Sequence, residues 1–163
     1  MPNALDTILD KLQSDERTKK AAAMIEAARF RAVYDMNLAR AFWTDMALSL
    51  RPVPMPGIPT MCTDGRRLMF DPEFTVSLTP DEVHGVAVGH ETIHCAQNHF
   101  GWIEPWMDRR IAQLAADAEA NEICVEAGFV LPKGAVIPGR GDYAYLPTGK
   151  VAREHHRRPQ VTR

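Results

Sequence analysis

Apolar residues recur every three or four positions through the first third of the chain. Leu5, Ile8, Leu9 and Leu12 form a short stripe; Ile25, Ala28, Ala32, Met36, Ala39, Trp43, Met46 and Leu50 form a longer one. That period is helical, and Ser14 or Asp15 offers a cap for the long stripe. The pattern stops at residues 51–59 (RPVPMPGIP), whose four prolines and glycine exclude helix interior and predict an extended connector. Two short strand-like runs follow, Thr60–Thr63 and Arg66–Phe70, separated by Asp64-Gly65. Asp-Gly between such runs predicts a hairpin, because the turn needs positive φ. Asp71-Pro72 ends the second run.

A helix start is legible at Thr79, with Pro80 in the first turn and Glu82 placed to complete a capping box. The spacing predicts a helix to about His99, stopping near Gly101. Another is predicted from Glu104-Pro105 to Glu126, closed by Gly128 with Pro132 beyond. Glycine and proline then recur from Leu131, which predicts mostly loop, and Lys150–Arg158 offers a final helical start. These elements predict a helix-dominated α+β fold in one domain. It comprises an N-terminal helical segment (1–50), a core (51–150) and a short basic tail (151–163).

Composition narrows the function classes. The chain has 163 residues, 45% hydrophobic and 25% charged, enough for one real core. A net charge of -2 is too balanced for a dedicated nucleic-acid binder. The basic end, Arg153 to Arg163, is the one feature that suits a protease acting on DNA-bound proteins, and such tails are usually solvated termini. No apolar run reaches membrane-spanning length, and the first residues lack the features of a signal peptide. Three scattered cysteines, Cys62, Cys95 and Cys124, fit a reducing, cytoplasmic setting and lack zinc-ribbon spacing.

The chemistry concentrates in His90-Glu91-Thr92-Ile93-His94, an H-E-x-x-H motif inside a predicted helix. Residues four apart share a helix face, so both imidazoles can reach one zinc ion. Glu91, about 100° round the helix, is free to act as a base on water. Roughly one chain in seventy of this composition would carry the motif by accident, so helical placement and a third ligand matter. His99 is a weak third ligand: a continuous helix turns it about 180° from His90. The longer H-E-x-x-H-x-x-G-x-x-H pattern needs Gly at 97 and His at 100, where this chain has Gln97 and Phe100. Asp117, on the following helix, projects from an apolar stripe with Leu114, Cys124 and Val125, where a carboxylate calls for a partner or a metal. Glu119 is the runner-up ligand, on a face with Glu122 and Glu126 that reads as solvated. Asn121 lies one turn beyond Asp117 and suits either orientation of a ligand or local capping.

Several stretches together resemble a known family, a metallopeptidase domain often joined to a von Willebrand A-like domain in bacterial and phage proteins. They are residues 63–74 (TDGRRLMFDPEF), 78–82 (LTPDE), His90–His94 with His99, 116–121 (ADAEAN) and 141–150 (GDYAYLPTGK). The resemblance implies a zincin-like arrangement of His90, His94 and Asp117 around zinc, and a peptide or protein substrate of no stated class. It also implies a von Willebrand A-like partner, domain or protein. The chain looks like the metallopeptidase part alone, a minimal member or a piece of a longer protein.

The expected reaction is peptide hydrolysis by zinc-activated water with Glu91 as general base. Tyr143, Tyr145, His155 and Arg109 are possible donors to the reacting oxygen, and the two tyrosines equally suit packing. The 61–70 hairpin either covers the helices or offers a strand edge to an extended peptide. The alternative function is a non-catalytic zinc-binding interaction module, which would not need Glu91.

Overall fold

The computed structural model describes residues 15–34, 38–101 and 108–139, with backbone alone for 38–41. The Leu5–Leu12 stripe, residues 104–107, the final helical start at Lys150–Arg158, and Tyr143, Tyr145 and His155 lie outside the described residues.

The long apolar stripe is divided between two helices, α1 (Glu16–Val33) and α2 (Leu38–Ser49). Asp15 caps α1, its carboxylate accepting from Arg17 and Thr18 N–H. The two helices fold back on each other. Arg29, almost fully buried, donates to Ala47 O (3.1 Å) and Leu48 O (2.8 Å) near the end of α2, and Thr44 Oγ1 donates to Ala32 O. A guanidinium thus satisfies helix-end carbonyls that a single straight helix would present to solvent. Ala28 and Ala32 of α1 are both buried.

Residues 51–54 are a strand rather than a mere connector. β1 (Arg51–Pro54) pairs parallel with β3 (Arg67–Phe70), and β3 pairs antiparallel with β2 (Met61–Thr63), in the order β1-β3-β2. Arg51 N–H donates to Arg66 O and Met55 N–H to Phe70 O, so donors toward β3 fall on odd positions. The even positions are Pro52 and Pro54, whose missing N–H faces the open edge, where proline is tolerated in a sheet. The Asp-Gly hairpin forms as expected: Gly65 has φ +82°, and Asp64 Oδ1 accepts from Arg66 and Arg67 N–H.

A short helix not anticipated from the sequence, α3 (Pro72–Ser77), follows β3. Asp71 caps it through Phe74 N–H (2.7 Å) and also accepts from Gly57 N–H (2.8 Å), tying the proline-rich loop to the sheet. These contacts, Phe74 N–H foremost, hold the Asp71 carboxyl below the usual carboxylate range. A depressed folded-state value means stability that is present above the ordinary carboxylate pKa and lost as pH falls through the folded value. Asp71→Ala is therefore expected to cost about 1–2 kcal/mol at neutral pH. In urea melts the gap from wild type should narrow at acid pH; an equal gap at both pH values would contradict this account.

The capping box is present: Thr79 Oγ1 accepts from Glu82 N–H while the Glu82 carboxylate accepts from Thr79 N–H. It starts α4 (Pro80–His84), which runs through a π-helical stretch (Gly85–His90) into α5 (Glu91–Ala96). Buried His84 ties α4 to α1 through a hydrogen bond between Nδ1 and Ala28 O (3.0 Å). α5 ends three residues earlier than the periodicity predicts. Asn98 takes φ +51°, His99 N–H donates to His94 O and Asn98 N–H to Cys95 O. That is a Schellman ending, with asparagine in the left-handed position.

The last described helix, α6 (Arg109–Glu126), starts later than the predicted Glu104-Pro105, because Asp108 is in extended backbone and caps it; Gly128 at φ +77° closes it, as expected. Ile25, Leu50, Leu68, Phe70, Val83, Val88 and Ile93 are fully buried, so α1, α2, the sheet and the α4–α5 rod share one core. The fold is helix-dominated α+β. No described helix is long and apolar enough to cross a membrane, and all three cysteines are free thiols.

Candidate metal centre

Two glycines set how the α4–α5 rod sits. A Cβ at Gly85 would lie 1.8 Å from Val130 O, and one at Gly89 about 3 Å from Cys124 Sγ and the Phe129 ring. The π-helical stretch therefore lies directly against the end of α6 and the chain after it. Thr92, fully buried, closes the stretch with its hydroxyl 2.6 Å from Val88 O and 2.9 Å from Gly89 O. π-Helical turns are rare and are frequently found at functional sites.

His90 and His94 emerge from this rod toward α6. Their Nε2 atoms are 2.9 Å apart. Asp117 Oδ1 lies 3.3 Å from His94 Nε2 and 3.8 Å from His90 Nε2. Among the described residues this trio offers three ligand atoms within 4.8 Å of one another. Tetrahedral zinc with bonds of 2.0–2.1 Å needs ligand atoms roughly 3.3–3.4 Å apart, and the three separations bracket that value.

The protonation pattern also fits a cation. Asn121 Nδ2 donates to Val136 O (3.1 Å), which turns Oδ1 toward His90 Nδ1 at 2.7 Å. An amide oxygen only accepts, so His90 Nδ1 carries the proton and its Nε2 presents a lone pair. Burial, with His94 next, holds the His90 pKa well below the ordinary histidine value. His90 is thus a neutral imidazole, the form that binds metals. That lone pair faces a second imidazole and a carboxylate, a donor set suited to a divalent ion.

Glu91 points into the same cleft and is 3% exposed. Burial pushes its carboxyl up to about 7, with Asp117 adding to the rise and His94 opposing it. The cleft has two lobes. The larger, about 420 Å³, runs past His94, His99, Phe100 and Gln113. The smaller, about 200 Å³, is walled by Phe74, Val86, Leu131 and Val136. Thr60 and Met61 at the start of edge strand β2, together with His90, Glu91 and Asp117, border both.

Several of the candidates fall in unexpected places. Asp117 is not fully buried, its side chain being 38% exposed where it opens onto the cleft. Glu119, expected on a solvated face, is buried, because His99 covers it with Nε2 3.7 Å from Oε2. His99 is itself 2% exposed. The Schellman turn carries it back over α5, so its Nδ1 meets His94 Nδ1 at 2.8 Å, on the ring edge away from Asp117. Asn98 is the signal that the sequence reading passed over, since asparagine readily takes the left-handed conformation. Val136, whose carbonyl holds Asn121, carried no signal of its own. Arg109 is exposed in the first turn of α6.

Searches of characterised proteins and of solved structures find no match. One family model does match, described as "Putative metallopeptidase domain", over residues 24–153. That span is more than three quarters of the sequence and includes the trio, Glu91, Asn121 and both lobes. The chain belongs to this metallopeptidase-domain family.

Proposed function

We propose that the protein is a zinc-dependent peptidase of zincin-like design, with His90, His94 and Asp117 as zinc ligands and Glu91 as general base. The observation that carries this is the convergence of two Nε2 atoms and a carboxylate oxygen beside a buried glutamate, on a cleft bordered by a strand edge. Zinc held there would supply Lewis acidity, bringing the ionisation of water near neutral pH and polarising a carbonyl.

The chain's own residues do the rest. The edge of β2 pairs with an extended peptide, main chain to main chain. The two lobes take side chains on either side of the scissile bond, the smaller favouring an apolar one. Glu91 accepts the proton of the attacking water and then gives it to the leaving amine. Asn121 keeps His90 in the tautomer that presents Nε2. Exclusion of bulk water around Glu91 strengthens each of these interactions. A non-catalytic zinc module would have no use for a buried carboxylate lining the cleft.

Elemental analysis of the purified chain beside His94→Ala and Asp117→Ala tests the centre. We expect about one zinc per wild-type chain and none retained by His94→Ala. Asp117→Ala should lose far more affinity than Glu119→Ala. Wild type without zinc after reconstitution would refute the metal centre, and the opposite ranking of the two carboxylates would move the third ligand to Glu119.

A further inference from the structure

His94 uses its two ring nitrogens differently. Nε2 faces His90 and Asp117, while Nδ1 lies 2.8 Å from Nδ1 of His99. Two imidazole nitrogens at that distance share one proton, so one donates and the other accepts. If Nε2 of His94 is to keep a lone pair for a cation, the proton sits on His94 Nδ1 and His99 Nδ1 accepts it. A neutral His99 then carries its own proton on Nε2. That atom faces Glu119 Oε2 at 3.7 Å, with both side chains buried. The separation is too long for a full hydrogen bond. A carboxylate so placed in a poorly solvated spot still favours N–H at Nε2 over a bare lone pair.

We propose that His99 is a positioning residue of the metal centre. It accepts the Nδ1 proton of His94 and so presents His94 Nε2 to the metal, while Glu119 fixes His99 in the tautomer that can accept. The proposal rests on the zinc-site reading above. His90 has the matching support in Asn121 Oδ1 and Val136 O, so each histidine ligand is held by a two-member chain. Partners of this kind usually change metal affinity about 10–100-fold when removed.

The competing explanation is that His99 merely fills space at the end of α5. Two substitutions separate these roles. In asparagine Oδ1 stands two bonds beyond Cβ, as Nδ1 does in histidine, so His99→Asn keeps the acceptor and loses volume. Leucine keeps most of the volume and loses the acceptor. We would measure zinc affinity by competition with a chromophoric chelator, and thermal unfolding of the metal-free chain, for both variants and for Glu119→Gln. The expected result is a split. His99→Leu binds zinc about 10–100-fold more weakly; His99→Asn is less thermostable yet binds close to wild type; Glu119→Gln weakens binding by a smaller factor.

Wild-type affinity in His99→Leu, or affinity losses that simply follow lost stability in both variants, would overturn the proposal while leaving the zinc site standing. Wild type that binds no zinc would remove both. Should His99→Leu not fold, ring-nitrogen NMR of the zinc-loaded wild type decides. A protonated Nδ1 on His94 opposite a bare Nδ1 on His99 is expected; the reverse pattern, or His94 bound through Nδ1, overturns it.

Discussion

Glu91→Gln is expected to retain zinc at the wild-type level and to lose peptide hydrolysis by about 10²–10⁴-fold, the usual contribution of a positioned general base. The substitution is nearly isosteric at a site only 3% exposed, so the fold should hold. It removes a carboxyl that burial lifts to about 7 and puts in its place an amide that cannot carry a proton between water and amine. Glu91 is offset from the trio on its own helix, and none of the three converging ligand atoms belongs to it. Zinc content and hydrolysis should therefore separate cleanly. Turnover of a peptide library, with metal analysis on the same samples, provides the check. Undiminished hydrolysis in this variant would remove Glu91 from the mechanism, and loss of zinc along with activity would make it a ligand rather than a base.

The largest structural effect is expected at Gly85. Its backbone is helical, so propensity alone would make Gly85→Ala stabilising by nearly 1 kcal/mol. Packing opposes this more strongly, because the new methyl would stand 1.8 Å from the Val130 carbonyl oxygen. A backbone carbonyl cannot swing away as a flexible side chain can, so the α4–α5 rod and the segment after α6 must separate. We expect a net loss on the order of 2–3 kcal/mol, near the upper end for overpacking, or about 4–12 °C in melting temperature for a domain of this size. Zinc affinity should fall as well. Val130 leads into the segment whose Val136 carbonyl holds Asn121, and Asn121 holds His90. A melting temperature at or above wild type would show that the rod is not seated against Val130 in this way.

Much of the site was legible in the order of residues because it depends on local geometry. An i,i+4 pair of histidines on one helix face, a capping box at Thr79 and an Asp-Gly turn at 64–65 each involve residues within a few positions of one another. The helical wheel also singled out Asp117, on the argument that it projects from an apolar stripe, whereas its side chain is 38% exposed where it opens onto the cleft. The resemblance to a metallopeptidase family rested on the same short stretches and agrees with the family match over 24–153.

What the order of residues did not reveal depends on pairings between distant segments. Whether residues 51–54 form a strand depends on β3, sixteen residues later in the register. The break between α1 and α2 depends on Arg29 reaching the carbonyls of Ala47 and Leu48. On helical wheels His99 faces away from His90 and Glu119 reads as solvated; His99 reaches His94 and covers Glu119 because Asn98 leaves the right-handed region and turns the chain back. By itself the sequence determined the helix that carries the chemistry, the turn beside it and the residue types that suit a metal. The tertiary structure decided which of those residues meet, which are buried and which nitrogen each histidine presents. The physical reason is range: periodicity and capping act over a few residues, whereas burial and ligand orientation are set by whatever distant segment packs against them.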